Sequence, residues 1–118
     1  MKRTIGIATF LLVAAHLTTG SAQESGWRMA PPMPEPQSEM TSAALGDKWY
    51  VFGGIDVPAT QPVGTVMVYD AASKSWSHRN NMRVPAHHTA AVTLNGKIYV
   101  FGGFVGHPGT KVWQPIAD

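Results

Sequence analysis

The sequence contains no cysteine among its 118 residues. Without cysteine the chain forms no disulfide and offers neither a thiol nucleophile nor a thiolate metal ligand. Charged residues are also few, at 14% of the chain, and the formal net charge is only +2. No glycine-rich phosphate loop and no serine-nucleophile elbow is found in the sequence. These absences argue against disulfide-stabilised domains, cysteine enzymes and the strongly basic surface that nucleic-acid binding requires.

The first 22 residues have the layout of a secretory signal peptide. Lys2 and Arg3 precede an apolar run at 5–15, and small residues follow up to Ala22. This run is much shorter than the roughly 20 residues of a membrane-spanning helix, so a spanning anchor is the weaker interpretation. Loss of Lys2 and Arg3 would leave seven basic and seven acidic residues. We expect cleavage after Ala22, export to the periplasm or the extracellular space, and a mature chain, residues 23–118, with no stable membrane anchor.

An internal repeat with an offset of 49 residues covers the rest of the chain. Two copies of Tyr-Val-Phe-Gly-Gly, which end at Gly54 and Gly103, align without a gap. The same offset superimposes several further residues, namely Trp27 on Trp76, Met33 on Met82, Pro36 on Pro85, Leu45 on Leu94 and Lys48 on Lys97. A fixed period of this length is the signature of a repeat architecture.

Each copy has the pattern of antiparallel β-strands. Runs of aromatic and β-branched residues at 48–52 and 97–101 end in a diglycine. Asn95-Gly96 is the strongest two-residue hairpin signal, and Gly46-Asp47 occupies the equivalent place. These patterns predict strands at 41–45, 48–52, 65–69, 75–78, 88–94 and 97–101. Four antiparallel strands in a repeat of about 50 residues describe one blade of a β-propeller.

The motifs within each copy resemble the kelch repeat. The resemblance rests on the diglycine, on Tyr69-Asp70, on Trp76, and on Met82 and Pro85. It covers essentially the whole predicted mature chain. It implies an all-β chain of kelch-type β-propeller blades, with about two four-stranded antiparallel blades of an incomplete propeller.

The resemblance also implies roles for individual residues. The kelch region would span residues 23–118, with repeat anchors at 27–54 and 76–103. The structural motif residues would be Gly53, Gly54, Tyr69, Asp70, Trp76, Gly102 and Gly103. The spaced aromatic residues, including Trp27 and Tyr99, are expected to be buried between neighbouring sheets. Kelch repeats usually carry an arginine after the Met-Pro segment, and Gln37 and Ala86 stand there instead.

The end of the chain allows two interpretations. In strict register, residues 104–118 form a loop after the second diglycine, and the strand equivalent to 68–70 would start at Ala117. Alternatively, residues 111–115 form that strand, and a first strand near Trp27 completes a last blade in another copy. We favour the loop. Because two blades cannot close a ring, we expect part of a larger propeller or a homo-oligomer.

Candidate ligand-facing residues precede the innermost strands, where the resemblance implies the mouth of a propeller. Glu39 and His88 occupy equivalent positions, and a carboxylate facing an imidazole can act as an acid–base pair. They are the candidate catalytic residues, with polar channel lining as the alternative. Gln37, His87 and Trp113 are the candidates for ligand binding. We expect no metal site, because His87 and His88 would point to opposite faces of a strand. We also expect no cofactor.

Two functional classes remain open. The resemblance implies a binding or scaffolding module whose loops contact a protein or a glycan. The alternative is a fragment of a periplasmic carbohydrate-active kelch enzyme such as a sialic acid mutarotase, which needs only positioned acid–base groups. The chemistry of galactose oxidase is excluded, because it uses a cross-linked cysteine and this chain has none. We expect an exported, non-enzymatic interaction module.

Overall fold

The computed structural model of the chain describes residues 26–106 and 114–116. The predicted signal peptide lies outside these residues. The described residues include no helix, and therefore none that is long and apolar enough to cross a membrane. The prediction of an all-β chain is confirmed. In chain order the strands are β1 (Gln37–Ser38), β2 (Thr41–Leu45), β3 (Lys48–Phe52), β4 (Ile55–Asp56), β5 (Gln61–Pro62), β6 (Val66–Asp70), β7 (Ser75–Arg79), β8 (Ala90–Leu94), β9 (Lys97–Phe101), β10 (Phe104–Val105) and β11 (Gln114–Pro115).

Strands β2, β3, β6 and β7 form one antiparallel sheet in that order. The register is continuous, with Tyr50 opposite Ala43 on one side and Val68 on the other. This sheet is the four-stranded blade predicted for the first repeat. Strands β2 and β3 have the predicted bounds, whereas β6 is shifted by one residue towards Asp70 and β7 extends one residue further, to Arg79.

The turn between β6 and β7 is built around the carboxylate of Asp70. Its Oδ1 accepts hydrogen bonds from the backbone N–H groups of Ala72 and Ser73 at 2.9 and 3.0 Å. Aspartate stabilises turns in this way because its short side chain reaches nearby backbone amides. The other oxygen, Oδ2, accepts a hydrogen bond from Nζ of Lys48. The carboxylate therefore ties the start of β3 to the end of β6.

The second repeat contributes the hairpin β8–β9. Its turn residues, Asn95 and Gly96, have φ angles of 50° and 72°, and a type I′ turn requires positive values at both positions. Strand β8 begins at Ala90 and not at His88 as predicted. The reason is that His88 has a φ of 53°, a left-handed conformation that does not continue an extended strand.

The segment after each diglycine forms a short two-stranded ladder. Strand β4 pairs with β5, β10 pairs with β11, and both β5 and β11 consist of Gln-Pro. The N–H of Ile116 donates to the carbonyl of Gly103 at 3.0 Å, as that of Val63 does to Gly54 at 2.9 Å. Residues 114–116 therefore take the place of the segment after the first diglycine and do not extend the β8–β9 sheet. The rest of the alternative strand, residues 111–113, lies outside the described residues.

The two sheets lie side by side through their first strands. Strand β2 contacts β8, where Oγ1 of Thr93 donates a hydrogen bond to the carbonyl of Ala44 at 2.6 Å. A groove of about 380 Å³ remains between the sheets. Its apolar walls come from both repeats and include Leu45, Tyr50, Phe52, Ile98 and Val100.

The first diglycine joins the two repeats. The N–H of Gly53 donates to the carbonyl of Thr65 and that of Gly54 to the carbonyl of Ala86, both at 2.9 Å. Gly54 has a φ of 105°, and a Cβ there would lie 2.5 Å from the carbonyl oxygen of Ser38. Only glycine permits this approach together with this backbone conformation. The chain that enters the second repeat is thereby fixed against the first.

The aromatic residues are less buried than predicted. Trp76 does pack as expected, with its ring centroid 5.3 Å from that of Tyr69 and 5.8 Å from that of Trp49. Trp27, however, is fully exposed, and Trp49 and Tyr99 are about half exposed. The expectation that all of these side chains are buried is wrong, because no sheet of the described residues covers them. The core instead lies in β3 and β6, at Val51, Met67 and Val68.

The Lys48–Asp70 contact makes the stability of the first sheet sensitive to acid. The hydrogen bonds from Lys48 and from the N–H groups of Ser73 and Ala72 lower the pKa of Asp70 from 3.8 to about 2. A carboxyl group with a depressed pKa stabilises the folded state above its unfolded pKa, and this contribution is lost as the pH falls through the folded pKa. We therefore expect the thermal midpoint of the chain to fall between about pH 4 and pH 2.

The variant Asp70→Asn should lower the midpoint at pH 7 and should show a weaker fall between about pH 4 and pH 2, because the titrating group is gone. Thermal unfolding followed by circular dichroism measures both effects. The control is Asp47→Asn, which removes the carboxylate that lies 3.7 Å from Nζ of the same lysine and should retain the acid dependence. Equal slopes in the wild type and in Asp70→Asn would contradict the assignment.

Candidate functional site

The candidate residues lie where each repeat enters its first long strand. Glu39 follows β1 and His88 precedes β8, at equivalent repeat positions. The structure brings them together, since the N–H of His88 donates to the carbonyl of Glu39 at 3.0 Å. Their side chains also meet, with Nδ1 of His88 3.3 Å from Oε2 of Glu39. The two residues singled out by the repeat register are therefore direct neighbours.

Glu39 and His88 share an uncommon backbone conformation. Their φ angles are 57° and 53°, in the left-handed region that residues with a Cβ adopt at a cost of roughly 1–2 kcal/mol. Each residue directly follows one that is bridged to the segment after the diglycine. The same bend in both repeats turns the two side chains towards one point.

His87 is the buried member of the site, with no exposed surface. Its backbone forms an antiparallel bridge with Phe104, through hydrogen bonds of 3.1 and 2.9 Å. Ser38 and Ile55 form the equivalent pair in the first repeat. The ring centroid of Phe104 lies 5.9 Å from that of His87 and 6.0 Å from that of His88. Phe104 thus forms an aromatic wall beside both imidazoles.

Three polar atoms converge in the cluster of Glu39, His87 and His88. The Nδ1 atoms of His87 and His88 lie 2.7 Å apart. Oε2 of Glu39 lies 3.2 Å from Nδ1 of His87 and 3.3 Å from Nδ1 of His88. The prediction that the two imidazoles point to opposite faces is wrong. It assumed a regular strand through both residues, whereas His87 forms an isolated bridge and His88 is left-handed.

Burial governs the electrostatics of the cluster. It lowers the pKa of His87 below its usual value of 6.5, the neighbouring His88 lowers it further, and Glu39 acts in the opposite direction. At neutral pH the ring of His87 is therefore uncharged, and one ring nitrogen keeps a lone pair that can accept a proton or bind a metal. The side chain of Glu39 is about one-third exposed and that of His88 about half exposed. The cluster thus has a buried side and a side open to solvent.

The other predicted ligand-binding residues are not part of this cluster. Gln37 lies on β1, where its Nε2 is 3.5 Å from Oε2 of Glu35. Trp113 lies outside the described residues. The sequence reasoning missed Phe104, although the register that sets Ser38 opposite Ile55 also sets His87 opposite Phe104.

Comparison with known proteins shows to which family the two repeats belong. The family model described as "Kelch motif" matches residues 38–83 and 85–118. The chain belongs to the kelch-repeat family. The resemblance predicted from the diglycine, Tyr-Asp and tryptophan motifs is therefore confirmed, and the sheets described above are kelch blades.

Similar proteins are considerably longer than this kelch-repeat chain. The F-box/kelch-repeat protein At1g16250 of Arabidopsis thaliana is 38% identical over 68 residues, which are 52% of this chain and 18% of that protein. The kelch repeat-containing protein kel-10 of Caenorhabditis elegans is 31% identical over 100 residues, which are 78% of this chain and 17% of that protein. The solved "Structure of YjhT" has a TM-score of 0.63 and 29% identity, and the match covers 68% of this chain and 25% of that one. This chain thus spans a quarter or less of the length of each.

The left-handed backbone at His88 gives a test of the site geometry. His88→Gly and His88→Ala both remove the imidazole, but only glycine adopts the observed φ without strain. We expect the glycine variant to be the more stable by about 1 kcal/mol in urea unfolding. The matched control is His78 in β7, where alanine should be the more stable because glycine weakens a strand. A more stable His88→Ala variant would mean that His88 is extended.

Proposed function

We propose that the chain is an exported kelch-repeat binding module that contacts a protein partner, and that copies of the chain together build the larger propeller. The observation that carries the proposal is the unequal burial of equivalent residues in the two repeats. Phe52 is 9% exposed, whereas its equivalent Phe101 is 50% exposed. Val51 is likewise buried, whereas its equivalent Val100 is only partly buried.

The difference arises from the neighbours of the strands that carry these residues. Strand β3 is paired on both edges, to β2 and β6, whereas β9 is paired within the described residues to β8 alone. An open strand edge presents N–H and C=O groups that favour pairing with another chain. Exposed apolar side chains lie on this hairpin, namely Val92 and Leu94 on β8 and Tyr99 and Phe101 on β9. Contiguous apolar patches of this kind mark interaction surfaces.

A further kelch blade fits this surface, because the first repeat has the arrangement that buries the equivalent residues. There β6 supplies the buried run Val66-Met67-Val68 beside β3, and the second repeat packs against the same blade. Repeat proteins bury each unit against its neighbours, and propellers close with typically four to eight blades. A second copy of this chain carries the same strands and can supply such a blade.

A binding role is favoured over an enzymatic one by where the grooves lie. The groove between the sheets and a second one of about 530 Å³ are lined by residues of the blade faces and their connections, including Met82 and Val100. Glu39, His87 and His88 line neither groove. These two grooves therefore do not support a carbohydrate-active enzyme built on these three residues.

Production of the full-length gene in a bacterial host tests the proposal. The intact mass of the protein recovered from the exported fraction should correspond to a chain that starts at Gln23. Light scattering after size exclusion of the same protein should give a discrete multimer with β-sheet circular dichroism. An uncleaved chain retained in the cells would contradict export, and a folded monomer would contradict assembly from copies.

Two matched variants test whether the β9 edge is the contact. Phe101→Lys should dissociate the multimer, because it places a charge in the proposed interface. Val57→Lys also replaces an exposed apolar residue, 54% exposed, but on the turn between β4 and β5, and should leave the mass unchanged. A multimer that survives Phe101→Lys would show that another surface forms the contact.

A further inference from the structure

We propose that Glu39, His87 and His88 form a binding site for one divalent transition-metal ion of the zinc class. The three residues offer two imidazole nitrogens and a carboxylate oxygen, all within 4.8 Å of one another. Imidazole and carboxylate groups are common ligands of zinc, and imidazole also suits copper and nickel. The proposal is independent of the assembly proposed above, since all three ligands come from a single chain.

The spacing of the donor atoms fits a shared metal ion. Zinc binds nitrogen and oxygen at about 2.0–2.1 Å, so two ligands of a tetrahedral ion lie about 3.3 Å apart. Oε2 of Glu39 lies 3.2 Å from Nδ1 of His87 and 3.3 Å from Nδ1 of His88. The distance between the two nitrogens, 2.7 Å, must widen on binding. The ring of His88 is about half exposed, whereas that of His87 is buried, so His88 is the ring that we expect to move.

Hydrogen bonds among Oε2 of Glu39 and the two Nδ1 atoms satisfy these three atoms less well than a shared metal ion does. Each ring nitrogen carries at most one hydrogen, and an ionised carboxylate carries none. If both Nδ1 atoms carry hydrogen, two donors face each other across 2.7 Å. If only one does, it donates to the other, and the accepting nitrogen has no hydrogen to give to the carboxylate of Glu39. A metal ion accepts a lone pair from all three atoms at once and removes this conflict.

The backbone holds the three ligands in place before any ion arrives. His87 is fixed by its bridge to Phe104, and His88 by the hydrogen bond from its N–H to the carbonyl of Glu39. Strained conformations such as the left-handed Glu39 and His88 persist where the surrounding structure over-determines them, and they cluster at functional sites. The Phe104 ring shields one side, while the exposed side of Glu39 and His88 leaves room for a fourth ligand such as water.

The proposed ion would connect the two blades. Glu39 belongs to the first repeat, and His87 and His88 belong to the second. An ion that binds the folded chain and not the unfolded one raises the thermal midpoint by mass action. Magnesium and calcium should bind poorly, because they prefer six or more oxygen ligands.

Calorimetric titration of the untagged full chain with Zn²⁺ tests the proposal. We expect saturable binding of one ion per chain and a thermal midpoint that rises with zinc but not with magnesium. Glu39→Gln and His88→Ala should each lower the affinity at least about tenfold, as loss of a metal ligand or its support does. Both side chains are partly exposed, so these variants should keep the β-sheet circular dichroism of the wild type. His87 is left unchanged, because it is buried and its loss would also affect folding.

The matched control is His78→Ala. His78 also faces a carboxylate, with its Nε2 2.9 Å from Oε1 of Glu35, but both side chains are about half exposed and no second imidazole of residues 26–106 and 114–116 joins them. Its removal should leave the affinity and the stoichiometry unchanged. The proposal is overturned if the wild type shows no saturable zinc binding. It is also overturned if Glu39→Gln and His88→Ala bind zinc as tightly as the wild type.

Discussion

The hydrogen bond from the N–H of Gly54 to the carbonyl of Ala86 is the contact on which both the blade arrangement and the site depend. It fastens the chain entering the second repeat to the end of β3 in the first. Ala86 directly precedes His87, so the same bond sets where His87 meets Phe104 and where His88 meets Glu39. The diglycine motif is therefore more than a turn, since it lets two backbones approach at a distance that a side chain would prevent.

Most of the fold could be predicted from the sequence, because local signals and the repeat agree. The alternation and aromatic content of 41–45 and 48–52 gave the bounds of β2 and β3, and Asn95-Gly96 identified the hairpin β8–β9. The wrong predictions concern the burial of side chains, which depends on segments that are distant in the sequence. The burial of Tyr99 was overestimated because burial requires a neighbouring sheet, and the described residues contain none beyond β9. Trp27 is exposed because it lies before β1, outside every sheet of the described residues.

The candidate site was predicted in part. The register of the repeat paired Glu39 with His88, and they are indeed in contact. Because an extended strand was assumed through 87 and 88, the His87 ring was not placed beside that of His88. Nothing in the residue types at these two positions signals a left-handed bend. The signal lay in the comparison of repeats, because Ser38 bridged to Ile55 implies the same bridge for His87. Ser38-Glu39 and His87-His88 thus stand at equivalent places in the two repeats, and Glu39 forms one cluster with the two histidines.

The most direct test of this account compares alanine at two equivalent glycines, Gly53 and Gly102. Both have a left-handed φ, of 57° and 67°, so both variants carry the same backbone strain. A Cβ at Gly53 would overlap the carbonyl oxygen of Ala86, whereas one at Gly102 meets no described atom within 4 Å. Urea unfolding at one fixed protein concentration should therefore show Gly53→Ala to be less stable than Gly102→Ala by at least about 1 kcal/mol. Equal stabilities would contradict the claim that the first diglycine holds the two blades together.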